Sequence, residues 1–257
     1  MNSKTLIQKR ERISDSCYSF TLYAPDIAKK CEPGQIIHVD CGGDTFLRRP
    51  FGICEASRTE GTIRFCYEIR GKGTNLLSEM KEGEELDILG AFGNGFPAAK
   101  GRRILLVGGG IGIFPLLFCA ESSPESCDTI LAFRCCSKIC LEEDFRKYCR
   151  NVYLCTDDGS AGYKGYAAQL LSELNIKKQY DVVYVCGPMK MMKTVAEVCI
   201  KANIECFVSL EERMGCGVGA CLGCAFRTIM PDGSRGYKRV CVDGPVFNAS
   251  EVDWSEI

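Results

Sequence analysis

Only one histidine, His38, occurs in the 257 residues. Its isolation excludes a cysteine-pair, histidine-pair zinc site and leaves no convincing histidine-centred acid–base dyad. Charge of one dominant sign is missing too. With 32 basic against 33 acidic residues the net charge is −1, which argues against general attraction to nucleic acid or to anionic membrane. Long apolar runs are absent: those near 104–107 and 111–120 are broken by glycine or fall short of the roughly 20 residues a membrane span needs. Residues 1–12 are polar and mixed in charge, without the apolar block of a secretory signal, so a cytoplasmic chain is expected. The hydrophobic content of 46% supports ordinary cores, and the length suits two domains plus a small module.

Cysteine, by contrast, is abundant. The 19 are an odd number, which speaks against a disulfide framework and for a compartment where thiols stay reduced. Most lie in apolar or mixed segments, where free cysteine packs as a small hydrophobe. Four stand apart: Cys216, Cys221 and Cys224, then Cys241 after sixteen further residues. This C-x4-C-x2-C…C order is the plant-type ligand spacing of a [2Fe-2S] cluster. Gly215, Gly217, Gly219 and Gly223 let the backbone turn its N–H groups toward the sulfurs. Structural zinc usually shows two short cysteine pairs, and here there is one; zinc and scattered thiols remain the alternatives. Between Cys224 and Cys241, residues 225–230 and 237–240 read as a hairpin about a Pro231-Asp232-Gly233 turn, which returns the fourth ligand to the others.

Residues 1–98 read as a β-rich domain, with strands at 19–23, 35–41, 62–69 and 85–89 separated by glycine and proline turns. The spacing suggests a small antiparallel barrel. His38 lies on one of these strands without an acid neighbour and reads as a packing residue. Two places look chemical. At Arg48-Arg49-Pro50-Phe51-Gly52, an arginine fork beside free backbone N–H groups suits a pyrophosphate. At Gly71-Lys72-Gly73-Thr74, a helix N-terminus offers N–H groups and a hydroxyl to phosphate. Either alone is commonly just a turn.

From Gly101 the pattern alternates between strands and helices. The strand at 103–107 runs into Gly108-Gly109-Gly110-Ile111-Gly112 and a helix start, an incomplete form of a phosphate-binding crossover. Further strands at 129–133, 152–155 and 181–186 make a doubly wound parallel sheet. Ligands gather at the carboxyl ends of such strands, so Gly109, Gly110 and Gly112, Asp157, and Cys186-Gly187-Pro188 are expected to converge on one crevice. Cys186 has no basic partner to lower its pKa and reads as a wall residue. Met189, Met191 and Met192 read as packing. The acidic side chains of Asp157 and Asp158 lean against a nucleotide carrying a 2′-phosphate.

The order Arg49-Pro50-Phe51-Gly52, then a strand, then Gly73-Thr74, then Gly93-Asn94-Gly95-Phe96, resembles the flavin-binding barrel of the ferredoxin reductase superfamily. That resemblance implies FAD held by Arg49, Pro50, Phe51 and Gly52, by Cys66, Tyr67 and Glu68 along the isoalloxazine, and by Gly73 and Thr74 at the diphosphate. Relatives commonly carry serine where Gly52 stands. The same superfamily implies an NAD domain at 99–209, after the barrel at 1–98, and the cluster module fills 210–257. Phrases such as Thr156-Asp157-Asp158-Gly159-Ser160 and Asp243-Gly244-Pro245-Val246-Phe247 extend the likeness to one family, the electron-transfer subunits of two-subunit, NAD-dependent dihydroorotate dehydrogenases. It implies an FMN-containing catalytic partner subunit, two of each in a heterotetramer, with electrons passing from dihydroorotate through [2Fe-2S] and FAD to NAD in pyrimidine synthesis. A subunit of an NADH-dependent ferredoxin:NADP reductase or sulfide dehydrogenase is an alternative, although such relatives can replace one cluster cysteine by aspartate. A zinc-stapled nucleotide-binding regulator is the alternative from another class.

Overall fold

Side chains alternate in and out along the first strands, and this decides how the N-terminal half closes. In the computed structural model, which describes residues 2–123 and 126–256, it contains β1 (Asn2–Arg12), β2 (Cys17–Tyr23), β3 (Ile36–Val39), β4 (Arg49–Ser57), β5 (Thr62–Glu68) and β6 (Glu85–Phe92). Helices α1 (Pro25–Ala28) and α2 (Lys72–Glu79) interrupt them. The strands pair in the order β1-β2-β5-β4-β3-β6, and β6 pairs with β1 to close an antiparallel barrel. Ile7, Phe20, Ile37, Val39, Phe65 and Tyr67 fill its interior. Closure removes the open edges that would otherwise pair with another chain.

The second layer contains β7 (Ile104–Gly109), β8 (Cys127–Phe133), β9 (Val152–Thr156), β10 (Tyr163–Lys164), β11 (Val182–Cys186) and β12 (Glu205–Ser209). These run parallel in the order β10-β9-β8-β7-β11-β12. Helices α3 (Ile113–Ser122), α4 (Glu142–Tyr148), α5 (Ala167–Glu173), α6 (Ile176–Gln179) and α7 (Met189–Ala202) connect or follow them. Every residue of β7, β8 and β11 is buried, as expected of strands covered on both faces. Leu105, Val107, Val183 and Val185 feed one core with α5 and α7. Ile104, Leu106, Val182 and Tyr184 feed the opposite core with α3 and α4. The sheet is therefore doubly wound.

Helix α3 joins the two layers. It is apolar almost all round and packs on β4 of the barrel as well as on β7 and β11. The contact at Gly52 is close: a Cβ there would lie 2.9 Å from Cβ of Pro115. That approach gives a packing reason for glycine at this position, where the superfamily likeness suggested serine.

The C-terminal segment forms the hairpin β13 (Ala225–Ile229) and β14 (Arg235–Arg239), then β15 (Val246–Asn248). Strand β15 pairs antiparallel with β12 and becomes the seventh strand of the large sheet. The segment after 209 thus leaves the sheet, forms the cysteine loop and hairpin, and comes back. Among the described residues no helix is long and apolar enough to cross a membrane.

Candidate functional site

Where the barrel meets the sheet, an open cleft with a cavity volume of about 240 Å³ is walled by Pro50, Phe51 and Gly52 of β4, Cys66, Tyr67 and Glu68 of β5, and Thr74 of α2. Ile111, Phe114 and Pro115 from the start of α3, with Cys186 at the end of β11, close the other side. Its walls are mainly apolar with a few polar groups, the lining a flat ring system needs. Alternation sorts the wall: Phe51 and Tyr67 turn their rings into the barrel, where they stack with Phe65, while Cys66 faces the sheet layer.

The expected arginine fork divides. Arg48 is engaged with Asp87, Nη1 donating to Oδ1 at 3.1 Å and Nη2 to Oδ2 at 2.9 Å. Arg49 stays beside the helix: its Nε lies 3.4 Å from where a Cβ of Gly73 would stand. The two phosphate-type elements of the barrel are thus neighbours. Thr74 does not hold its hydroxyl free; Oγ1 accepts from the N–H of Arg70 at 2.9 Å and donates to the carbonyl of Gly71 at 3.1 Å. This leaves the first N–H groups of α2 as the available donors.

The glycine turn and the Cys186-Gly187-Pro188 loop touch backbone to backbone. A Cβ on Gly112 would stand 2.5 Å from the Cys186 carbonyl oxygen, and one on Gly109 would stand 2.4 Å from Sδ of Met191. Gly110 is open to solvent on its outer side. Asp157 lies further along the same carboxyl edge than the glycine turn and the Cys186 loop. Strand β8 intervenes between β7 and β9, and the Asp157 loop bonds to the end of β8, with Asp157 N–H on the Phe133 carbonyl at 3.0 Å. Cys186 is buried, and burial pushes its thiol well up, as suits a wall residue.

Pattern reasoning passed over the wall supplied by the end of β12: Ser209, Leu210, Glu211 and Glu212, with Met214 and Pro245. The available signal was its place at another carboxyl end of the parallel sheet. Glu211 opens onto the cleft yet has protein around it, and the lost hydration raises its carboxyl pKa, opposed by Arg70. Pro245 arrives through two of the sequence phrases, which bind one another where Asn94 N–H donates to Gly244 O at 2.6 Å, and Leu210 N–H at the end of β12 donates to Pro245 O at 2.9 Å.

Next to this wall the chain enters the cysteine loop. Cys216 and Cys221 lie within hydrogen-bonding reach of each other, as do Cys224 and Cys241, and the pairs are close enough for Cys216 to act electrostatically on Cys241. Among the described residues no three such side chains close around one point. Two pairs match a two-iron cluster, which takes two protein ligands at each iron, better than a single tetrahedral ion. Backbone donors reinforce the fit. The N–H groups of Val218, Ala220 and Cys221 reach Sγ of Cys216 at 3.4, 3.2 and 3.4 Å, and those of Cys216 and Gly223 reach Sγ of Cys221 at 3.4 Å each. Led by the Val218 bond, they hold the Cys216 thiol down to about 6, while burial lifts Cys241 to about 11. Cys224 and Cys241 are buried, whereas Cys221 is exposed between Val218 and Leu222, which are 55% and 63% exposed. Arg239 braces the loop, Nη1 donating to Gly219 O at 2.9 Å.

Comparison with known proteins agrees with this geometry. Residues 211–253 match the family described as the iron-sulfur cluster binding domain of dihydroorotate dehydrogenase B. The chain is 42% identical to the dihydroorotate dehydrogenase B (NAD(+)) electron transfer subunit of Caldanaerobacter subterraneus subsp. tengcongensis, over 97% of each. It is 38% identical to the protein of the same description from a Geobacillus species, over 96% of each. Among solved structures, a chain of an NADH-dependent reduced ferredoxin-NADP oxidoreductase, studied for flavin-based electron bifurcation, superposes with a TM-score of 0.86. Its identity is 29%, covering 99% of this chain and 91% of that one.

Proposed function

Since this chain belongs to the family of dihydroorotate dehydrogenase B (NAD(+)) electron transfer subunits, we propose that its cleft holds FAD, its glycine turn and Cys186-Gly187-Pro188 loop receive NAD, and its four paired cysteines hold a [2Fe-2S] cluster. Bound flavin exchanges two electrons with a nicotinamide and single electrons with an iron–sulfur cluster, so it supplies the conversion between the two. The chain's residues bind, orient and shield. Pro50, Gly52, Cys66 and Glu68 form the wall for the isoalloxazine, and Arg49 with the N-terminus of α2 at Gly73 and Thr74 meets the diphosphate. The close contact of Gly112 with the Cys186 carbonyl fixes the nicotinamide floor. Asp157 serves the far end of the dinucleotide.

The observation that carries this reading is the adjacency of the two sites: the wall at Ser209–Glu212 and Met214 runs directly into Cys216. The exposed rim of Val218 and Leu222 beside Cys221 is the docking face for a catalytic subunit, an FMN-containing dihydroorotate oxidase, in a cytoplasmic complex of two subunits of each kind. All four ligand positions are cysteine, which favours this assignment over the ferredoxin:NADP reductase alternative. The test is co-expression with the cognate catalytic subunit. A brown-yellow complex that reduces NAD with dihydroorotate is expected; a complex loaded with flavin and iron but unable to do so overturns the reading.

A further inference from the structure

His38 occupies a position that packing alone does not account for. On β3 its neighbours Ile37 and Val39 point into the barrel, so its ring points out, edge-on to Phe92 with centroids 5.6 Å apart. The residue is 1% exposed. Its Nε2 is buried and has no hydrogen-bond partner. A buried nitrogen left in that state is costly, which calls for a partner that binds with a cofactor.

Two neighbours say which cofactor. In the strand register His38 faces Pro50, which lines the flavin cleft. Its ring edge abuts Gly217, the residue after Cys216: a Cβ on Gly217 would lie 2.2 Å from Cε1 and 2.7 Å from both Nδ1 and Nε2. Gly217 has φ +71, so glycine is required there on two counts. The sole histidine therefore stands between the flavin wall and the cysteine loop. A cluster's sulfurs are acceptors only, so a nitrogen that meets them must carry a proton. Buried without an acid partner, the ring is neutral and has one such proton to give.

We propose, building on the cluster assignment above, that His38 donates its Nε2 hydrogen to the sulfur cage of the [2Fe-2S] cluster and thereby raises the cluster's reduction potential. Reduction adds negative charge to the cage, and a buried donor stabilises that charge more than it stabilises the oxidised form. His38 is on this account a positioning and tuning residue.

The test uses the holoenzyme complex carrying His38→Leu or His38→Gln, with the cluster titrated under EPR. Leucine is expected to favour the oxidised cluster about tenfold, a fall of 59 mV for a one-electron couple, and glutamine, which keeps an N–H, to recover part of it. In complex grown with 15N-histidine, pulsed EPR of the reduced cluster is expected to show a coupled nitrogen that disappears in His38→Gln. An unchanged midpoint in both variants overturns the proposal, and so does a labelled wild type without coupling, which would leave a packing role. Should the leucine variant fail to fold, the label and the glutamine variant still decide. A wild-type complex with no [2Fe-2S] signal would instead overturn the cluster assignment itself.

Discussion

The dinucleotide crevice and the cysteine loop are built on opposite plans. In the crevice, backbone meets backbone, as at Gly112 against the Cys186 carbonyl, and at the neighbouring barrel junction Gly52 lies tight against the ring of Pro115. In the loop, single N–H groups hold two sulfurs, and one face stays open to solvent. Interiors of the first kind tolerate no added volume, whereas the second kind gains its rigidity from what it binds. Damage to one region should therefore leave the other intact.

The sharpest way to break that contrast is Cys221→Ser. It is expected to abolish NAD reduction by dihydroorotate while NADH oxidation by an artificial acceptor such as ferricyanide, which needs only flavin and the crevice, continues near its normal rate. Loss of both activities would show that the regions are not separable. Gly112→Ala works from the other side. Its Cβ meets the Cys186 carbonyl at 2.5 Å, so we expect a loss of about 1–3 kcal/mol in denaturant midpoint analysis and a raised KM for NADH, with the visible spectrum of the cluster unchanged. Gly52→Ser is smaller, because Pro115 can retreat with α3; we expect about 1–2 kcal/mol and faster flavin release in a fluorescence assay. Thr74→Val is smallest, losing a cap contribution of about 1 kcal/mol and weakening flavin binding a few-fold by titration of the apoprotein.

Legibility in the sequence followed the same division. The cysteine loop could be read from spacing because its cysteines are local apart from Cys241. The parallel strands could be found because burial on both faces makes them continuously apolar, as in β7 and β11. Strand β1 could not: Lys4, Gln8, Lys9 and Arg12 are exposed, and among its described side chains Thr5 and Ile7 mark the buried side. Strand β4 was hidden behind its own motif, since Arg49 and Pro50 read as a binding turn. The wall at Ser209–Glu212 was hidden because β12 is short, with a polar end. His38 read as a packing residue because its partner, Gly217, lies far along the chain, and no local pattern records a contact between a barrel strand and a C-terminal loop. Asp157 was placed correctly at a strand end, but end position alone does not say which strands are neighbours.

The short strand β15 bears on how the molecule is assembled. By seating Val246–Asn248 beside β12, it ties down both ends of the cysteine-bearing excursion on a single strand. The adjoining Gly244 and Pro245 tether the barrel through Asn94 and close the cleft. Residues 241–248 therefore complete the cleft wall through Pro245, the sheet edge through β15 and the cysteine set through Cys241, so a change in this stretch reaches three structures at once.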